Sequence, residues 1–151
     1  MTDDLQKKIV SAIEAQLNEK TSLDEAFFNM VLLRLEYFGY TVVESDSWLI
    51  AFVIEKCEWH HKNICHISAI PDGLKNNLCD LVCGEFLNQV CSSTYFKERF
   101  DLGRAVQSVQ AGDTTVTFKD GLSDEDKFAT LVNYLIHGKE GELVCYRRLK
   151  W

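Results

Sequence analysis

A single proline in 151 residues excludes a Pro-rich linker or a polyproline chain. No apolar run approaches the ~20 residues of a membrane-spanning helix. The opening Met1-Thr2-Asp3-Asp4 lacks the positive n-region of a secretory signal, so an intracellular chain with no membrane partner is expected. Basic side chains are in deficit: 16 Lys and Arg face 23 Asp and Glu, a net charge of −7. Phosphate and anionic-lipid binding both need clustered cations, so a stand-alone nucleic-acid or membrane-surface binder is disfavoured. No G-x-S-x-G, Walker A, G-x-G-x-x-G or H-E-x-x-H occurs, and no carboxylate pair stands out as an acid–base couple. Catalysis has no positive support, and neither an enzyme nor a cofactor is expected.

Apolar residues are plentiful, at 46%, enough for the core of one domain over 1–151. Their spacing is mostly helical. Leu5, Ile9, Ile13 and Leu17 recur every four residues and predict a first helix over 4–19. Phe27, Phe28, Val31, Leu32, Leu35 and Phe38 predict a second over 23–38, with Ser22 and Glu25 as a capping box and Gly39 beyond its end. A third runs over 47–62, capped by Ser45 or Asp46, with Leu49, Phe52, Val53, Cys57 and His60 inward. The fourth, over 73–91, is apolar on more than one side and should be central. Gly84 interrupts it, which suggests a neighbouring helix in close approach. A last helix, over 124–137, opens on Ser123 and stops at Gly138.

Between the fourth helix and the last, the period changes. Residues 105–110 and 114–118 alternate around Ala111-Gly112-Asp113, which predicts a protruding β-hairpin over 105–118. The expected fold is therefore mainly α: a compact bundle of about five helices with one hairpin.

Six cysteines are present. In a reducing compartment they are expected as buried thiols. Cys57, His60, His61, Cys65 and His66 fall within ten residues. A zinc- or thiol-dependent enzyme using Cys57, His61, Cys65 and His66 is one alternative. The spacing fits no zinc template, however, and Cys65 and His66 are adjacent. The plainer expectation buries Cys57 and Cys65, half-buries His60, leaves His61 and His66 in solvent, and assigns no metal site.

Two features point to assembly. An isolated hairpin is marginal in water and has open edges that a second chain could pair. Its candidate interface residues are Val106, Ser108, Gln110, Gly112, Asp113, Thr114, Val116 and Phe118. The C-terminal Tyr146, Arg147, Arg148, Leu149 and Trp151 join aromatic and Arg side chains, the types enriched in interface hot spots. A small helical adaptor or regulatory protein that forms no ring is a second alternative.

Four short stretches carry a resemblance: Leu35-Glu36-Tyr37-Phe38-Gly39-Tyr40-Thr41-Val42, Asp46-Ser47-Trp48-Leu49, Ile70-Pro71-Asp72-Gly73-Leu74 and Val82-Cys83-Gly84-Glu85-Phe86-Leu87. With the run Ala105 to Phe118 and the ending Tyr146-Arg147-Arg148-Leu149-Lys150-Trp151, their order and spacing over 25–151 resemble the head–tail connector (adaptor) family of tailed phages and Firmicutes prophages. The resemblance implies a non-enzymatic subunit of the virion neck, made in the host cytoplasm. It implies a ring with itself, of about a dozen copies, docked to the portal protein and presenting a surface to other neck or stopper proteins. DNA would pass through its channel without specific binding, and acidic walls would keep the backbone from sticking. The Cys/His segment has no place in that pattern.

Overall fold

The computed structural model describes residues 1–112 and 118–149. They form seven α-helices: α1 (Asp3–Leu17), α2 (Glu25–Tyr37), α3 (Ser47–Cys65), α4 (Lys75–Val90), α5 (Phe96–Arg99), α6 (Leu102–Gly112) and α7 (Asp124–His137). A 3-10 segment, Glu140–Tyr146, follows α7. The fold is mainly helical, and no helix among the described residues is long and apolar enough to cross a membrane.

The centre is α4, which packs against α2, α3 and α7. Its buried residues, from Asn77 to Val90, occupy nearly every side of the helix, as its all-round apolar sequence predicts. Pairings across it set direction. Lys56 reaches Glu85 and His61 reaches Asn77, so α3 and α4 run antiparallel. Gly84 meets Leu135 and Ile136 while Asp80 meets Lys139, so α7 is antiparallel to α4 as well.

The glycines at 39 and 84 behave as their positions suggest. Gly39 has φ +86°. Its N–H donates to Glu36 O, and the Tyr40 N–H donates to Leu35 O, the two bonds of a Schellman cap. At Gly84 a Cβ would lie 2.8 Å from Leu135 Cβ and 2.9 Å from Ile136 Cγ1. The missing side chain is what lets α7 approach α4.

Two sequence expectations about capping shift in detail. Ser123 caps α7, accepting from Asp126 N at 3.2 Å. The cap of α2, though, is Asp24, which accepts from Phe27 N, not Ser22. Asp46 precedes α3 without bonding its first turn; it instead accepts from Val43 N and Tyr40 Oη.

The hairpin is the larger correction. No strand occurs among the described residues; the one β-like contact is an isolated bridge between Tyr40 and Phe100. Residues 105–112, assigned to its first strand and turn, belong to α6. The reason lies in a competing period. Leu102, Ala105, Val106 and Val109 are spaced i, i+3, i+4, i+7. Ala105 and Val109 are buried where α6 meets α2 and α7. Asp101 Oδ1 starts the helix by accepting from Arg104 N at 3.1 Å. The second run, Asp113, Thr114, Val116 and their neighbours through 117, lies outside the described residues.

Three acidic residues are buried: Asp46, Glu58 and Asp80. Asp80 and Glu58 draw partners from other elements, and Glu58 also pairs with Lys62 one turn on in its own helix. Asp80 takes Arg34 of α2 at 2.9 Å and Lys139 at 2.9 Å. Glu58 takes Lys62 at 2.8 Å, Ser22 N and Oγ at 2.9 and 2.7 Å, and Thr21 Oγ1 at 2.5 Å. These pairs tie α2 to α4 and the α1–α2 connection to α3.

The α4–α7 approach yields a stability test. Gly84→Ala should gain about 1 kcal/mol of helix propensity yet force Leu135 and Ile136 apart. A net loss of about 1–2 kcal/mol is expected in urea denaturation, and Gly84→Val should lose more.

Candidate interaction surface

Four arrangements bear on function: an aromatic stripe on α3, the Cys/His segment with the cleft beside it, the surfaces of α6 and the C-terminal segment, and a groove beside α5.

The core face of α3 carries Ile50, Val53, Ile54, Cys57, His61 and Cys65. The expected inward stripe had Phe52 and His60, and both are exposed. The helix is thus rotated from that reading. Its uncovered side presents Trp48, Phe52 and Trp59, which are 61%, 44% and 51% exposed. Spacings of four and seven residues keep all three on one face. Trp48 and Phe52 stack at 5.7 Å with planes 9° apart. Lys62 Nζ sits 5.1 Å from the Trp59 ring centre while it pairs with Glu58, which fixes the edge of the stripe. The stripe was missed because α3 has more apolar residues than one buried face needs. That excess, Trp48 through Ile54, was the available signal.

The Cys/His segment does not converge. Cys57 is buried, and burial pushes its thiol up to about 12, so it is no thiolate near neutrality. Cys65 is buried with Sγ toward Leu143 O at 3.6 Å. His66 is exposed, ending α3 in the left-handed region with φ 54°. His61, expected in solvent, is 1% exposed. Among the described residues no three His, Cys, Asp or Glu side chains are placed to hold a metal ion.

His61 is instead a structural link. Asn77 Nδ2 donates to Lys139 O at 2.8 Å and to Glu142 Oε2 at 3.2 Å. Its Oδ1 is therefore the acceptor facing His61 Nε2 at 2.9 Å, which assigns the Nε2–H tautomer. The pair stands beside a cleft of about 490 Å³ between α3, α4 and α7, lined also by Trp59, Glu85 and His137. Burial holds the imidazole below its ordinary value, against the opposing effect of the Asn77 bond.

The surfaces expected to mediate assembly divide. On α6, Val106 and Ser108 are half-buried, and Ser108 Oγ lies 2.9 Å from Tyr37 O and 2.8 Å from Arg104 O. Gln110 and Gly112 are exposed. Phe118 is buried in the protein's own core, so it is not an open contact. In the C-terminal segment, Tyr146 packs over Gly73 so closely that a Cβ there would overlap its hydroxyl. Arg148 N donates to Cys65 O at 2.8 Å. Beyond that anchor nothing holds Leu149, which is 79% exposed, and Arg147 and Arg148 keep exposed side chains. Trp151 lies outside the described residues.

A second groove, of about 850 Å³, opens beside α5 and the start of α7. Phe96, Phe100 and Phe128 form its floor, stacked or edge-on at 4.8–5.7 Å. Asp124, Glu125, Lys97 and exposed Cys91 also line it.

Compared with family models, curated proteins and solved structures, the chain matches none.

The His61 link sets a pH dependence. A buried imidazole that resists protonation leaves the unfolded chain binding more protons as pH falls below its unfolded value near 6.5. Stability should therefore fall from about pH 7 to pH 5, by at most ~1.4 kcal/mol per pH unit for one site. His61→Gln, which can still donate to Asn77, should flatten that slope in denaturation midpoints measured across the range.

Proposed function

We propose that this protein is a non-enzymatic subunit of the phage head–tail connector, self-assembling and docking to the portal protein at the virion neck. The observation that carries the proposal is the exposed aromatic stripe on α3. Trp and Tyr dominate interface hot spots because a large rigid ring loses little entropy on burial. Leaving three aromatics uncovered on one helix face exposes apolar area that a partner would bury. The resemblance of residues 25–151 to connectors supports the choice of partner. A net charge of −7 suits a ring through which DNA slides, since acidic walls repel phosphate and release no counterions.

Docking here does not involve a hairpin. Its work falls to helical faces, the α3 stripe foremost, with α6 and the C-terminal segment contributing exposed Gln110, Arg147 and Leu149.

The test is to mix the purified protein with the portal protein of the same genome and examine the mixture by electron microscopy and sedimentation. Added ring density on the portal is expected. Trp48→Ala with Trp59→Ala should weaken portal binding about tenfold or more. Thermal midpoints should hardly move, because both side chains are exposed. A folded wild type that ignores the portal would overturn the proposal and leave the ring-free adaptor as the better reading.

A further inference from the structure

We propose that the aromatic groove of one subunit receives the C-terminal segment Arg147–Trp151 of the next, making a head-to-tail contact between copies. The inference rests on the self-assembly part of the function proposed above and names the contact.

The groove and the segment fit chemically. The groove floor is Phe96, Phe100 and Phe128, and the lining also carries Asp124 and Glu125 with the lone cation Lys97. The segment Arg-Arg-Leu-Lys-Trp offers three cations with two large apolar side chains. Leu149 and the indole suit the floor, and the arginines suit the carboxylates. In an otherwise acidic chain this is the locally basic stretch, so its complement is a copy of the chain itself.

Geometry decides that the occupant comes from another copy. The segment is anchored at the α4 N-terminal end, where Tyr146 packs on Gly73 and Arg148 N bonds Cys65 O. The groove lies at the opposite end, at Cys91 to Phe100, just past the last residue of α4. The 16 residues of α4 span about 24 Å. From Arg148, the three residues through Trp151 reach at most about 11 Å when fully extended. The segment cannot fill its own groove. A contact joining unlike patches at opposite ends of a subunit is heterologous, and it propagates until rotation closes it.

Exposed Cys91 in the groove makes the contact directly testable. The full chain carrying Leu149→Cys and Cys145→Ser, the latter removing the other exposed thiol, is treated with diamide, with and without the portal. A ladder of disulfide-linked oligomers on non-reducing gels is expected, and Cys91→Ser should abolish it. Sedimentation of the unmodified chain gives a second reading. Glu125→Arg should weaken self-association about tenfold, and adding Arg148→Glu should restore most of it. A ladder that survives Cys91→Ser, or no ladder in either condition, overturns the inference. Portal binding without a ladder would sink this contact while sparing the connector reading. A Cys91-dependent ladder without portal binding would do the reverse.

Discussion

The rest of the molecule depends on the approach of α7 to α4 at Gly84. With Leu135 Cβ and Ile136 Cγ1 already filling the space a side chain would take, the two helices are locked in position and direction. That contact carries Lys139 to Asp80 and Asn77. It thereby places Glu140–Tyr146 along α3 and delivers Arg148 to Cys65 O. It also sets the start of α7 beside α5, where Phe128 meets Phe96 and Phe100. One absent methyl group thus positions both the anchored C-terminal segment and the groove at the far end of α4.

Buried charge reinforces that geometry. A carboxylate removed from water is tolerable only with close, well-directed partners. For Glu58, burial alone would push the acid up, but bonds from Lys62, Thr21 and Ser22 outweigh it and hold it below its ordinary value. Its contribution is therefore present above the unfolded value and is lost as pH falls through the folded one. Asp46 tips the other way: burial dominates the Val43, Arg99 and Tyr40 interactions and raises it. The two carboxylates act in opposite directions in acid, and His61 adds a loss of stability as pH falls below its unfolded value. Asp80, shared by Arg34 and Lys139, does for α2 and α7 what Glu58 does for the α1–α2 connection and α3.

The sequence was legible where one period dominated. Ile9, Ile13 and Leu17 in α1, and the all-round apolar run of α4, are buried as their spacing requires. Gly39 and Gly84 carried their reasons in plain view. Residues 105–110 misled because a short run of mixed apolar and polar residues resembles alternation, whereas Val106 and Val109, three apart, share a side only in a helix, and the helix was settled by packing on α2 and α7, which sequence spacing does not show. His61 and Phe52 exchanged their expected places for a related cause: α3 is apolar almost all round, so its rotation was fixed by partners. The buried carboxylates were invisible for a different reason. Glu58 and Asp80 take partners 36 and 59 residues away, at Ser22 and Lys139, and the local partner of Glu58, Lys62 one turn on, is a pairing that a solvent-facing glutamate also makes. The α3 stripe belongs to the same blind spot, since exposure is a property of what fails to pack against a residue.

Those uncovered features are informative together. An acidic protein at net charge −7 repels copies of itself at long range, so assembly needs short-range apolar contact and local charge reversal at the point of joining. Trp48, Phe52 and Trp59 provide apolar contact. Arg147 and Arg148, exposed just past the Tyr146 anchor, are suited to supply the reversal. An interface made by one acidic patch on both partners would set like charges against like. Unlike patches meeting head to tail avoid that, and they make a ring when the rotation between copies closes. On the proposed reading, the stripe on α3 is left free for a different protein, the division of labour a ring subunit needs if it must grip its siblings and its platform at once.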